Sequence, residues 1–326
     1  SESRYMIKNY RQHISGIIDR KFLSNSTWEG IPCYNSPFEF CDVIFINCVT
    51  CAHTLDVEIL LKETSNFVIN FFDFIDLLLP NSQFKYSESN VIQEWEVFPN
   101  VFVDKLEIFH KIKDCFQDKT SKIHFKDYLD ARLTGDIPRI GQGKITHDPS
   151  TMYFQPFLPD LDEYVFLDIG CFDGSNSESF LSQTNGSCVI AFEPNSFNVS
   201  LITDRLKRYT SRFTLVNSAL GDDRSESYIT IDGPGSIITD DKIENSEKVV
   251  QETLDGIFER FDLWDKKTLI KMDVEGSELN ILNGAKKVVG NQNTIWAISC
   301  YHKSDDLVNF YCTLNKLIET NKIYFR

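Results

Sequence analysis

Residues 165–174 read V-F-L-D-I-G-C-F-D-G, an apolar run that stops on an acid and two closely spaced glycines. The segment that follows, 175–183, has helical character, so the stretch reads as strand, tight turn and helix N-terminus. Glycine in such a turn lets backbone approach a ligand where a Cβ would collide, and Asp168 stands at the strand end that faces that ligand. A second apolar strand, C-V-I-A-F at 188–192, ends in Glu193-Pro194-Asn195. It lies about 20 residues past the turn, where a carboxylate can hold two ribose hydroxyls. A third, T-L-I-K-M-D at 268–273, is followed by V-E-G-S-E-L-N-I-L-N-G-A, which reads as turn then helix. Ligands of open α/β sheets bind outside the carboxyl ends of the strands, so Asp168, Glu193 and Asp273 are expected to converge on one crevice.

Two cofactor classes share this layout, dinucleotides and S-adenosylmethionine. A pyrophosphate calls for G-x-G-x-x-G, whose backbone amides receive its negative charge. Here Gly170 and Gly174 are spaced G-x-x-x-G, with Asp168 and Asp173 around them. Clustered carboxylates repel a pyrophosphate and suit a ligand that carries a sulfonium and an ammonium. The local charge favours S-adenosylmethionine.

These residues resemble the FkbM-type S-adenosylmethionine-dependent methyltransferases, over roughly 125–326. The resemblance rests on D-I-G-C-F-D-G at 168–174, F-E-P-N at 192–195, I-K-M-D-V-E-G-S-E at 270–278 and A-I-S-C-Y-H-K at 297–303, with looser agreement at 129–136, 217–222 and 253–255. It implies that Asp168, Gly170, Cys171, Phe172, Asp173 and Gly174 flank the methionine moiety, that Glu193, with Pro194 and Asn195, binds the ribose, and that Ser218 and Ala219 lie near the adenine. It further implies O-methylation of a hydroxyl on a sugar, a glycan or a hydroxylated natural product, often in glycan or polysaccharide biosynthesis, with S-adenosylhomocysteine as the product. The fold implied is a Rossmann-like class I methyltransferase domain, α/β with a mostly parallel doubly wound sheet. The family's seventh, antiparallel strand finds no counterpart in this stretch, so the last strand is expected to be missing.

Three regions are expected. Residues 1–115 form a smaller N-terminal α/β Rossmann-like accessory domain, with strands at 43–49 and 67–72, a helix at 55–63 and no glycine-rich turn. A charged helix, 125–133, and a loop rich in Gly, Pro and Asp, 134–150, form a linker at 116–160. The methyltransferase domain spans 161–326. Within it the strands expected are 164–169, 188–192, 213–217, 268–273, 295–301 and a sixth at 322–326; the helices are 175–183, 198–209, 254–260, 278–288 and 305–319. A polar excursion at 221–248, containing G-P-G-S at 233–236, is expected to line the acceptor side. Tyr153 and Phe154, in M-Y-F-Q-P-F just before the first of these strands, either reach the cofactor or simply cover the sheet.

Composition excludes several classes. The chain has 326 residues, 42% of them hydrophobic and 26 of them Phe, enough for a large core. A net charge of −15 without a Lys/Arg-rich run lacks the footprint of a nucleic-acid binder. The longest apolar stretch, 67–79, is broken by Asn70, Asp73 and Asp76 and falls short of the ~20 residues of a membrane span. The nine cysteines look like reduced thiols of a cytoplasmic protein, and no leader-like segment opens the sequence at Ser1. C-x-x-C at 48–51 has no second pair and reads as structural. The expected partner is a small-molecule or glycan acceptor, and a homo-oligomer is compatible with the sequence.

Methyl transfer from a sulfonium is an in-line displacement, so the protein's main task is to hold acceptor and methyl in reacting geometry. An acceptor hydroxyl also benefits from a base within hydrogen-bond reach. Asp273, Glu275 and His302 are the candidates, with His302 weighed against a solvated strand-end histidine. Asp273 and Glu275 also suit a divalent metal, but two carboxylates alone do not define one, and no metal ligand set is assigned. Glu278 reads as a helix cap and Lys271 as the partner of a carboxylate. The alternatives from other classes are an NAD-dependent oxidoreductase or epimerase and a non-catalytic glycan-pathway scaffold that keeps the fold.

Overall fold

The computed structural model describes residues 7, 11–19, 26–48, 57, 60–64, 66–70, 90–134, 152–230, 238–239, 241–243, 246–318 and 321–326. The chain falls into two units: residues 1–99, 119–147 and 325–326, and residues 100–118 and 148–324.

In the first unit β1 (Ile17–Ile18), β2 (Ser26–Trp28) and β3 (Ile31–Tyr34) form a small sheet in the order β1-β3-β2. The β-branched runs expected as strands form β4 (Ile44–Asn47) and β5 (Phe67–Asn70), which pair in parallel with Ile44 opposite Phe67. Asn66 sets their entry: its Oδ1 accepts from Val43 N at 3.1 Å and its Nδ2 donates to Phe40 O at 3.0 Å. Three helices follow along the chain: α1 (Asn90–Asp104), whose residues from 100 onward belong to the second unit, α2 (Leu106–Cys115) of the second unit and α3 (Lys119–Thr134) of the first. In α3, Phe125 and Tyr128 meet the ring of Phe325 edge-on. Residues 55, 56, 58 and 59 of the helix expected at 55–63, the apolar run beyond 70, the loop 135–151, Cys51 and the G-P-G-S at 233–236 lie outside the described residues.

The second unit is built on β6 (Val165–Ile169), β7 (Cys188–Phe192), β8 (Phe213–Val216), β9 (Ala219–Gly221), β10 (Ser225–Thr230), β11 (Ile238–Thr239), β12 (Ser246–Thr253), β13 (Thr268–Met272) and β14 (Thr294–Ile298). Five of them form one all-parallel sheet, ordered β14-β13-β6-β7-β8. All five residues of β6 and of β13 are buried, as a central parallel strand covered on both faces requires. Side chains alternate between the faces. Val165, Leu167 and Ile169 pack with Leu254, Ile257 and Phe258 of α6 (Leu254–Arg260), with Ile281 and Leu282 of α7 (Glu278–Asn283) and with Phe310 of α8 (Asp306–Ile318). Phe166 points the other way, to Phe180 and Leu181 of α4 (Ser175–Gln183) and to Ile202 and Leu206 of α5 (Ser196–Leu206). Each such side chain contributes about 1.5–3 kcal/mol by leaving water. In chain order the strands read 3-2-1-4-5, the doubly wound arrangement, and the direction of winding reverses between β6 and β13.

Several expectations change: the helix at 278–288 ends at Asn283 and the strand at 295–301 ends at Ile298. The stretch 221–248 is largely a second sheet rather than a loop: β10 pairs antiparallel with β11 and β12, and β12 pairs in parallel with β9. Its strands are polar and half-exposed, so they lack the apolar run that marks the main sheet. The strand expected at 322–326 shrinks to one parallel bridge, Ile323 with Phe116. The Phe325 N–H donates to Ser121 Oγ at 3.0 Å instead of to a neighbouring strand. Among the described residues no helix is long and apolar enough to cross a membrane.

Candidate active site

Where the winding reverses, the turn after β6 lies against the end of β13. Gly170 has φ +73°, and a Cβ there would collide with the carbonyl oxygen of Asp273. Gly170 N and Cys171 N both donate to Phe192 O, at 3.1 and 3.2 Å, which binds the turn to the end of β7. Phe172 adopts φ 50°, and Gly174, at φ +77°, precedes α4 as its left-handed cap residue.

Glu193 stitches the two strand ends together. Its Oε2 accepts from Phe172 N at 2.9 Å, its Oε1 from Asn195 N at 2.9 Å, and it is 5% exposed. Burial pushes its carboxyl up; bonds from Asn195, Asn198 and Phe172 oppose the rise. An ionised carboxylate has about four acceptor positions, so these three bonds leave about one for a ligand's hydroxyl. Pro194 is half-buried, and Asn195 caps α5 by accepting from Phe197 N at 3.0 Å. Asn217 Nδ2 donates to the carbonyls of Glu193 and Pro194, at 2.8 and 3.1 Å. Ser218 and Ala219 are buried beside this end of the sheet, with Ser218 Oγ donating to Glu252 at 3.3 Å.

Asp168 turns inward, and Asp173 pairs at the surface of the turn. Asp168 is 0% exposed; its Oδ2 accepts from Ser177 Oγ at 2.7 Å, and its Oδ1 lies 3.2 Å from Lys271 Nζ, its register partner in β13. Lys271 also donates to Gly170 O at 2.6 Å. Burial pushes the Lys271 ammonium down, but Asp168 and then Asp273 outweigh it and hold the group above an ordinary lysine. Asp173 accepts from Ser175 N at 3.0 Å and pairs with Arg205 at 2.8 Å. These two carboxylates therefore hold the turn in shape. Burial, with Asp168 and Glu193 adding, also raises the Cys171 thiol well above its usual value, so it stays protonated.

A second cluster forms at the ends of β13 and β14. Asp273 Oδ1 accepts from Tyr301 OH at 3.1 Å and its Oδ2 from Tyr153 OH at 3.2 Å. Burial raises the Asp273 carboxyl, but Lys271 and then His302 hold it below its usual value. His302 Nε2 lies 3.5 Å from Asp273 Oδ1 and 3.7 Å from Glu275 Oε2, while its Nδ1 lies 2.9 Å from Glu278 Oε1. Burial lowers the imidazole, and the contact with Glu278, joined by Glu275 and Asp273, more than reverses this. Glu275 sits at φ 54°, its carboxyl pushed up first by burial. The structure thus brings Asp273, Glu275 and His302 together.

Several members of the cluster escape sequence reasoning. Glu278 opens α7, but it is 0% exposed, and its carboxylate accepts from Val274 N at 2.9 Å and faces His302. Ser299, 3.4 Å from Tyr153 OH, and Tyr301 carry no spacing signal. The two readings of 153–154 divide between the residues: Phe154 covers the sheet against Phe166 and Phe180, while Tyr153 reaches Asp273.

Residues 168–311, which contain both halves of this site, match the model of the methyltransferase FkbM domain. Over that segment the chain is similar to the FkbM methyltransferases. A crystal structure of methyltransferase FkbM from Methylobacillus flagellatus KT is similar in fold, with a TM-score of 0.60 at 20% identity over 94% of this chain and 77% of that one. Precorrin-6y C5,15-methyltransferase from Geobacter metallireducens GS-15 aligns at 17% identity over 48% of this chain and 63% of that one, with a TM-score of 0.30 too low to bear on the fold. No curated protein matches the chain. In the FkbM domain, the matched segment begins on Asp168 at the end of β6 and closes within α8.

Proposed function

We propose that the FkbM domain transfers a methyl group from S-adenosylmethionine to a hydroxyl of a small-molecule or glycan acceptor. The observation that carries this reading is the juxtaposition at the reversal point, where the Gly170 turn and Glu193 adjoin the strand end bearing Asp273. The donor set fits the cofactor. Glu193 keeps an acceptor position suited to a ribose hydroxyl, and the carboxylates of Glu193 and Asp273 at the two strand ends suit a cationic ligand better than a pyrophosphate. S-adenosylmethionine supplies a methyl already activated on a sulfonium.

The turn Gly170, Cys171, Phe172, Asp173, Gly174 flanks the amino-acid end of the cofactor. Glu193, Pro194 and Asn195 receive the ribose, and Ser218 and Ala219 border the adenine. Asp168 acts through Lys271 and Ser177, fixing the turn from behind. The acceptor hydroxyl meets Asp273, Glu275 and His302, which take its proton, and Tyr153 and Tyr301 orient the Asp273 carboxylate for that task.

Isothermal titration of the full chain with S-adenosylhomocysteine, with NAD⁺ in parallel, tests the reading. Saturable binding of S-adenosylhomocysteine alone, weakened at least tenfold in Glu193→Ala, is expected. Binding of NAD⁺, or of neither ligand by folded protein, would overturn it in favour of an oxidoreductase or a scaffold.

A further inference from the structure

His302 is surrounded by more negative charge than an imidazole can balance. Three carboxylate oxygens lie within 3.7 Å of its two ring nitrogens: Asp273 Oδ1, Glu275 Oε2 and Glu278 Oε1. Ligand atoms of Asp273, Glu278 and His302 all lie within 4.8 Å of one another. Lys271, whose charge draws the Asp273 carboxyl down, is itself held by Asp168 and Gly170 O. The imidazole is only 9% exposed and Glu278 not at all, yet neither ring nitrogen and not Glu278 Oε2 has a hydrogen-bond partner of proper geometry. Buried polar atoms left in that state call for a ligand or an ion.

The two sides of the ring differ. On the Nδ1 side stands a fully buried carboxylate, anchored by Val274 N–H and close enough to take the imidazole proton. That leaves the Nε2 lone pair facing Asp273 and Glu275, whose side chains are 26% and 38% exposed and open to an entering ion. A buried carboxylate behind one nitrogen, fixing the tautomer while the other nitrogen faces outward, is the arrangement that orients metal-binding histidines. The Asp273 carboxylate is itself steadied by Tyr301 and Tyr153. A cation with ligand bonds of about 2.1 Å separates its ligands by about 3–3.5 Å, close to the spacing around Nε2.

We propose that Asp273, Glu275 and His302 Nε2 bind one divalent cation, with Glu278 as the outer carboxylate that holds Nδ1. One imidazole with two carboxylates, and room for water or a hydroxyl, suits an ion of the Mn²⁺ class. Bound there, the cation takes the place of direct proton transfer to these three side chains: it lowers the pKa of a coordinated hydroxyl, whose proton passes to solvent. That use rests on the methyltransferase reading; the binding of the ion does not.

Mn²⁺ titration of the EDTA-treated full chain, followed by electron paramagnetic resonance without any cofactor, tests the proposal. One saturable Mn²⁺ per chain is expected, with pulsed spectra showing coupling to an imidazole nitrogen. His302→Gln should abolish that coupling and weaken binding at least tenfold, and Glu278→Gln should weaken it about ten- to hundredfold. Absence of saturable binding by protein that circular dichroism shows folded would overturn the site, as would binding without nitrogen coupling or coupling that survives His302→Gln. Should His302→Gln not fold, Asp273→Asn decides, since tenfold weaker Mn²⁺ binding is required of it. S-adenosylhomocysteine titration of the same metal-free protein separates the two readings: cofactor binding with no Mn²⁺ site sinks the ion alone, and the reverse pattern sinks the cofactor alone.

Discussion

Lys271 and Asp168 face each other across β13 and β6 at 2% and 0% exposure, and each answers for the other's charge. Removing one partner strands a buried charge, so Lys271→Met should cost about 3–5 kcal/mol in urea unfolding, and the double variant Lys271→Met, Asp168→Leu distinctly less. A single variant within 1 kcal/mol of the parent would show that the pair carries no such strain. Asp306 offers a test in pH. Burial raises its carboxyl to about 6, against the bond from Lys303 N–H that lowers it. A carboxyl with a higher pKa folded than unfolded binds more protons in the native state, so stability falls as pH climbs from about 4 to about 6. Asp306→Asn should remove that fall and raise stability at pH 7.5 by roughly 2 kcal/mol relative to pH 4, read from paired unfolding curves. At this scale the sequence was legible in part. Asp273, Glu275 and His302 announced themselves by their strand ends. The roles of Asp168 and Asp173 did not, because whether a carboxylate faces a ligand or an arginine depends on residues far along the chain, here Lys271 and Arg205.

The turn between β6 and α4 is held by its backbone. Gly170 has a left-handed φ and no room for a methyl against the Asp273 carbonyl. Gly170→Ala should therefore push the end of β13 away, lowering S-adenosylhomocysteine affinity at least tenfold in the titration described above while the far-UV spectrum stays native. Unchanged affinity would mean that the turn adapts freely. The legibility of elements follows the same physics. Strands β6, β7 and β13 are buried on both faces, so their apolar runs stand out without any partner in view. Strands β10 and β12, S-E-S-Y-I-T and S-E-K-V-V-Q-E-T, owe their form to each other across an antiparallel ladder, and half of their side chains face water. Polar composition there reads as loop until the pairing is known. The helix expected at 278–288 stops at Asn283 for a comparable reason: the carboxylate of Asp255, on α6, accepts from the N–H groups of Lys287 and Val288 and draws that segment into a turn.

Across the whole molecule the likeness to methyltransferase FkbM spans 94% of the chain, whereas the matched family segment begins at Asp168. Sequence pattern alone reached as far as a parallel, doubly wound sheet, because alternation of strand and helix implies parallel strands; their order is visible only in the pairing. In the first unit neither the run that forms β4 nor the one that forms β5 is followed in the sequence by a glycine-rich turn. The order β14-β13-β6-β7-β8 also carries a kinetic consequence. Lys271 grips Gly170 across 101 residues of chain, so neither wall of the crevice can be completed until the polypeptide between them has folded back. Closing a loop of that length is slow relative to forming local helices. Ligand binding should thus be among the last properties to return after dilution from urea, trailing the far-UV signal. A crevice that recovers in step with the helices would mean that β6 and β13 find each other before the segments between them are in place.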